Sequence, residues 1–262
     1  MAVLFRLSRG SALLGPDPAT GKVVGPVSRN ARRETVGLLV WMALVVAAGS
    51  LFGVRTHIAF VGLSDGAQQI WDGETVRSAL VWAAYNFLGL AVGPYLFFRY
   101  RLGYSASSML LRFPRPKVFV PYFLVIGTLG FAFAITPEFT AVPLTGHLLT
   151  LALFTVGSFL PIMIVTQSLL TPRLAQLAGS WVTGAVLSAL AYGALNITEA
   201  ILAFGTTAQL LLSLAWFMQV AFWGLVKAVT TLRTGNAWMH IATTHTIHLA
   251  EAPAVAATFS IR

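Results

Sequence analysis

The sequence predicts an all-α membrane protein, a polytopic bundle of about seven transmembrane helices with its N-terminus in the cytoplasm. Hydrophobic residues fill 57% of the 262 positions, and charged residues fill only 10%. Soluble domains average about 25% charged residues, so this chain has too little polar surface to cover itself in water. A run of about 20 largely apolar residues can cross a bilayer. Such runs cover 35–54, 78–98, 118–137, 144–170, 181–203, 207–231 and 236–258.

Prolines fall within several of these runs, and the later runs are rich in small residues. Pro94, Pro161 and Pro253 interrupt the second, fourth and seventh runs. Membrane helices tolerate prolines, usually as kinks, so each run is expected to continue as one helix. Small side chains allow helices to approach closely. The residues with this expected role are Gly179, Ser180, Gly184, Ser188, Gly193 and Gly224.

The distribution of basic residues predicts the orientation. With a cytoplasmic N-terminus, all but three of the 17 Lys and Arg residues fall on the cytoplasmic side. This bias is typical of a protein in a bacterial inner membrane. The net charge of +9 is therefore attributed to contact with anionic lipids and not with nucleic acid. The densest basic segment, RYRLGYSASSMLLRFPRPK at 99–117, is the predicted lipid contact.

Four ordered landmarks between about residues 150 and 250 resemble the CAAX protease and bacteriocin-processing (CPBP) intramembrane proteases. The first is LPIMIVTQSLLTPRLAQLAGS at 160–180, in the place of the family's paired glutamates. The second is WVTGAVLSALAYGALNI, in which Tyr192 and Asn196 match an aromatic residue followed after three others by His or Asn. TLRTGNAW at 231–238 and a histidine-bearing last helix complete the set.

The charge pattern and apolar runs, together with the resemblance, divide the chain into three segments, and the resemblance implies a lost active site. The segments are a basic cytoplasmic segment 1–34, N-terminal transmembrane helices 35–142 and a CPBP-like four-helix core 143–262. Thr166 and Gln167 stand where the resemblance places the glutamate pair. Neither side chain titrates near neutral pH, so neither can activate a water molecule. With no cysteine nucleophile either, the chain is not expected to be an enzyme.

The last helix carries a polar stripe. At about 100° per residue, His240, Thr244, His245, His248 and Glu251 share one face of a continuous helix. His245, His248 and Glu251 are chemically suited to bind zinc or iron. A single helical histidine is also a usual axial ligand of haem or (bacterio)chlorophyll.

A structural role for the stripe is favoured over a metal or pigment site. Polar side chains inside membranes often hydrogen-bond between helices. On this view Tyr192, Asn196, His240 and Thr244 form a structural polar cluster, and no cofactor is expected. The preferred function is an inactive CPBP-like scaffold, assembly factor or accessory subunit that contacts other membrane protein subunits. The alternatives are a diverged metal-dependent intramembrane protease and a pigment- or haem-binding subunit.

Overall fold

The structure, a computed structural model, describes residues 15–16, 23–24, 28–56, 76–195, 207–244 and 246–261. Most of these residues are helical, which confirms the all-α prediction, and loops join the helices. A two-residue antiparallel pair, β1 (Gly15–Pro16) with β2 (Val23–Val24), is also present. Asn196 and His245 lie outside the described residues, as does the side chain of Thr244.

Each of the first six predicted spans corresponds to a described helix. The helices are α1 (Ala31–Thr56), α2 (Val76–Arg101), α3 (Pro116–Ala134), α4 (Pro137–Ala141), α5 (Leu144–Ala178), α6 (Trp181–Leu195), α7 (Thr207–Thr234), α8 (Met239–Thr244) and α9 (Ala252–Thr258). Within the described residues, two helices, α2 and α5, are long and apolar enough to cross a membrane by length and composition. The count of seven spans stays a prediction.

Helices α2 and α5 continue through their prolines, as expected. Wide π turns lie on both sides of Pro94, at Phe87–Val92 and Phe97–Arg101. The same occurs around Pro161, at Thr155–Phe159 and Met163–Leu170. Proline cannot donate a backbone hydrogen bond, and its ring crowds the preceding turn. A locally widened helix accommodates both effects without ending the helix.

The seventh predicted span, 236–258, is not one helix. The structure divides it into α8, a 3₁₀ turn at Ile247–Glu251, and α9. Pro253 lies in the first turn of α9, where its missing N–H has no helical partner to lose. The prediction of a continuous helix with one polar face is therefore wrong, because 100° per residue does not hold through these breaks.

Glycines allow the late helices to pack backbone to backbone, as predicted. Gly184 of α6 lies so close to the backbone of Ala175 in α5 that a Cβ there would overlap it. A Cβ on Gly193 would come 2.8 Å from the ring of Phe217 in α7. Gly224 of α7 similarly faces Tyr192 of α6 at 2.9 Å. This packing brings polar side chains of α5, α6 and α7 into one interior.

Early and late helices share the same core. Leu38 and Phe98 pack in one buried cluster with Leu169 and Tyr192. In a second cluster, the Trp82 ring meets the Phe154 ring edge-on at 5.7 Å. The two transmembrane segments defined from the sequence therefore interlock, and the boundary at residue 34 lies within α1.

Candidate functional site

Buried polar side chains gather where α5, α6, α7 and the segment after α7 meet. None is more than 9% exposed. We call this group the late-helix polar cluster. It consists of Thr166, Gln167, Tyr192, Lys227, Thr231, His240 and His248. It includes the residues that stand in the place of the family's glutamate pair.

The Gln167 side chain is fully buried and hydrogen-bonded on both sides. Its amide nitrogen donates to the Thr166 hydroxyl at 3.2 Å, and its carbonyl accepts from the Thr231 hydroxyl at 3.1 Å. Thr166 donates in turn to the carbonyl of Ile162 at 2.6 Å. A neutral amide with local partners costs far less to bury than an ionised acid. This part of the cluster therefore joins α5 to α7 without any charge.

Lys227 connects α7 to α6 and was missed as a buried residue. Its Nζ donates to the Tyr192 hydroxyl at 2.9 Å and lies 4.4 Å from the centroid of the same ring. The sequence placed Lys227 with the cytoplasmic basic residues, whereas the side chain is buried. The signal for its burial was the spacing of four residues between Lys227 and Thr231 on an apolar helix, because residues four apart share one helix face.

The two described histidines of the last segment are enclosed by protein. The His248 ring stacks on Phe154 at 4.8 Å and lies 5.2 Å from the Phe159 ring. A flat tetrapyrrole would have to take the place that Phe154 occupies on that face. His240 and His248 both lie within electrostatic range of Lys227.

The zinc or iron set drawn from the sequence is described only in part. His248 and Glu251 share the 3₁₀ turn, and His245 lies outside the described residues. Among the described residues, no group of three or more His, Cys, Asp and Glu could hold a metal ion. A lysine ammonium near His240 and His248 also repels a bound cation.

A second polar cluster ties the start of α1 to the end of α5. We call it the N-terminal ion-pair cluster, and it consists of Ser28, Glu34, Tyr104 and Arg173. Arg173 Nε donates to Glu34 Oε2 at 2.7 Å, and the two side chains are only 4% and 9% exposed. The Tyr104 hydroxyl donates to Glu34 Oε1 at 2.7 Å, and the Ser28 hydroxyl donates to Oε2 at 2.6 Å.

Every charge in this cluster is compensated. Burial alone would raise the pKa of the Glu34 carboxyl. Hydrogen bonds from Ser28, Tyr104 and Arg173, with the positive charge of Arg173, outweigh burial and hold this pKa below its ordinary value. Arg173 also donates to the carbonyl of Leu169 at 2.7 Å, and its guanidinium lies 4.4 Å from the centroid of the Phe98 ring.

Sequence reasoning missed this ion pair because its partners lie 139 residues apart. Arg173 was assigned to a cytoplasmic loop, and Glu34 fell in the basic segment 1–34. The available signal was a lone acid in RNARRE at 29–34, opposite an arginine at the end of an apolar run. Neither feature identifies the other partner without the fold.

The landmark TLRTGNAW has a structural role in holding the loop 99–117. The Ala237 N–H donates to the Leu110 carbonyl at 2.9 Å. The Asn236 side chain donates to the Arg112 carbonyl at 2.6 Å, and the Trp238 indole donates to Leu111 at 3.1 Å. These bonds fix the loop backbone and leave its arginine and lysine side chains exposed.

Comparison of the chain with family models, with characterised proteins and with solved structures finds no match in any of the three. The relation to the CPBP proteins therefore rests on the sequence landmarks.

Proposed function

We propose that the chain is a catalytically inactive CPBP-like integral membrane protein, acting as a scaffold, assembly factor or accessory subunit of a larger membrane complex. The observation that carries the proposal is the neutral chemistry around Gln167. Water activation needs a carboxylate base or a metal. Thr166, Gln167 and Thr231 instead satisfy one another through hydrogen bonds. The two hydrogen-bond partners of the Gln167 amide are hydroxyl groups and not carboxylates.

A scaffold role is supported by apolar faces on the outside of the late helices. On α6, Val182, Val186 and Leu190 are exposed at a spacing of four residues. On α7, Leu211 and Leu214 continue an exposed apolar face. In the proposed membrane location these faces contact lipid or neighbouring subunits. We assign the subunit contacts to them because the small residues are used for packing within the chain.

The proposal includes seven membrane passes, a cytoplasmic N-terminus and a bacterial inner membrane. Non-helical backbone at membrane depth must be enclosed by protein. The broken seventh pass meets this condition because His240, Leu249 and Val255 are buried. In this topology, the loop containing Ser107 faces the cytoplasm, and Thr140 faces the opposite side.

Single cysteines test this topology without interference, since the chain has none of its own. Ser107 and Thr140 are both exposed. A membrane-impermeant maleimide should label Thr140→Cys in intact cells, and Ser107→Cys only after the membrane is opened. Labelling of both residues in intact cells, or of neither after opening, would refute the arrangement.

The scaffold role is tested by a photo-crosslinking amino acid placed at Val186 or Leu214. We expect specific crosslinks to other membrane proteins from these exposed sites. The same group at Ala189, which is buried in α6, serves as the control and should give none. Crosslinks to lipid alone, together with about one zinc or iron per purified chain, would instead favour the metal-dependent protease.

A further inference from the structure

A cleft of about 890 Å³ lies between α1 and α2. Its lining follows one face of α1 from Asn30 to Trp41 and one face of α2 from Gly93 to Leu102. The N-terminal end of α1 and the C-terminal end of α2 form the same end of the cleft. Its volume is within the range of about 300–1,000 Å³ that is common for ligand sites.

The cleft is basic at one end and apolar at the other. Arg29, Arg33 and Arg101 line the basic end, and all three are exposed. The one acid in the lining, Glu34, is already compensated by Arg173. Among the described residues, none of the three lining arginines takes part in an ion pair. An anion bound at this end would therefore meet an excess of positive charge.

The apolar end is shaped by glycines and an anchored indole. The Trp41 Nε1 donates to the Gly89 carbonyl at 2.7 Å, which fixes the indole against α2. A Cβ on Gly93 would come 3.2 Å from that indole, so glycine permits the contact. A Cβ on Gly37 would meet nothing within 4 Å, so this wall of the cleft is open.

The length of the cleft fits one leaflet of a bilayer. From Asn30 to Trp41, α1 rises about 17 Å at 1.5 Å per residue. The hydrocarbon core of a bilayer is about 30 Å thick, so one leaflet contributes about half of that. A single acyl chain could lie along the apolar wall while its phosphate stays at the arginine end.

We propose that this cleft binds one anionic phospholipid of the cytoplasmic leaflet. Its phosphate is held by Arg29, Arg33 and Arg101, because one guanidinium group can donate two parallel hydrogen bonds to phosphate oxygens. One acyl chain lies against Trp41 and Gly37. The site rests on the membrane placement in the proposed function but not on the scaffold role. It narrows the lipid contact expected along loop 99–117 to a defined cleft, in which Arg101 is the one basic residue contributed by that loop.

Native mass spectrometry of the delipidated chain tests the site. Phosphatidylglycerol and phosphatidylcholine with the same acyl chains are added separately in detergent. We expect one retained phosphatidylglycerol per chain and at least tenfold weaker retention of phosphatidylcholine. An excess of glycerol phosphate should not displace the lipid. Equal retention of both lipids, or displacement by glycerol phosphate, would overturn the proposal.

Matched variants locate the site. Gly37→Phe fills the cleft and should abolish the retained lipid, whereas Val40→Phe, on an exposed part of α1 outside the cleft, should not. The triple variant Arg29→Gln, Arg33→Gln and Arg101→Gln should abolish the preference for phosphatidylglycerol. The same charge change at the exposed control residues, Arg32, Arg112 and Arg115, should leave it intact.

The outcomes separate this proposal from the scaffold role. Equal loss of the preference for phosphatidylglycerol in both arginine triples would reduce the effect to general charge attraction and refute the site. If Gly37→Phe does not fold, the two arginine triples still decide, because all six side chains are exposed. Crosslinks from Val186 should persist in the variant that replaces Arg29, Arg33 and Arg101. Their absence in the wild-type chain would count against the scaffold and not against the lipid site.

Discussion

The two buried polar clusters join their helices by opposite means. The N-terminal ion-pair cluster sets the Glu34 carboxylate against Arg173. The late-helix polar cluster joins α5 to α7 through the neutral amide of Gln167 and two hydroxyls. The chain thus retains a buried acid where it holds helices together. Thr166 and Gln167, which the proposed resemblance to the CPBP proteins aligns with paired glutamates, are neutral.

The difference has an energetic consequence. Breaking a buried ion pair leaves one charge without compensation, which is strongly destabilising. Breaking a neutral hydrogen bond leaves only a polar group unsatisfied, at about 1–3 kcal/mol. The two clusters should therefore respond very differently to removal of one partner.

The largest effect is expected for Arg173→Met. It removes the positive partner of Glu34 and should lower the free energy of unfolding by about 3–5 kcal/mol. The measurement is denaturant unfolding in detergent. Arg112→Met, at an exposed site, is the control and should change stability by less than about 0.5 kcal/mol.

A double variant sharpens the same prediction. Glu34→Leu combined with Arg173→Met removes both charges, so it should recover part of the loss caused by Arg173→Met alone. If the stability loss of the double variant equalled the sum of the two single-variant losses, the ion pair would not be the coupling between α1 and α5.

Acid should lower the free energy of unfolding, because it protonates Glu34 in the N-terminal ion-pair cluster. The pKa of Glu34 is lowered in the folded chain from an ordinary value of 4.5. Its contribution to stability is therefore complete above that value and is lost as the pH falls through the folded pKa. Unfolding should be followed between pH 7 and pH 3.

Two variants isolate Glu34 in the acid experiment. Glu34→Gln has no carboxyl at this site and should lose less stability on acidification than the wild type. Glu138→Gln changes a fully exposed acid outside the cluster. This control variant still contains Glu34, so the part of the acid-induced stability loss that is due to Glu34 should remain. An identical acid response in wild type and Glu34→Gln would contradict the assigned role of the carboxylate.

The same contrast explains what the sequence could predict. Runs of apolar residues are a local signal, so α1, α2, α3 and α7 were found close to their observed bounds. The starts of α5 and α6 were also found, but α5 continues to Ala178, beyond its predicted end at 170, and the predicted end of α6 at 203 lies outside the described residues. The breaks in the seventh span were missed because Pro253, a local signal for a helix boundary, was interpreted as a kink within one continuous helix. Gln167 is buried, and its partner Thr231 lies 64 residues further along the chain, so no local signal pairs the two residues.

A moderate effect is expected for Gln167→Leu. It leaves the Thr231 hydroxyl without its acceptor and should cost about 1–3 kcal/mol of unfolding free energy. Gln219→Leu makes the same chemical change at an exposed position of α7 and should be nearly neutral. A loss from Gln167→Leu as large as that from Arg173→Met would end the distinction between the two clusters.

The smallest effect is expected where both partners of a buried hydroxyl pair are replaced. Thr171 and Ser188 share a hydrogen bond of 2.6 Å between α5 and α6, and both are buried. Thr171→Val alone should cost about 1 kcal/mol, because it removes one hydroxyl and leaves the other unsatisfied. Adding Ser188→Ala should recover most of this loss and bring stability to within about 0.5 kcal/mol of the wild type, since no polar group is then left unpaired. A fully additive loss, measured by the same unfolding titration, would show that each hydroxyl has another partner and that neutral pairs do not hold α5 to α6.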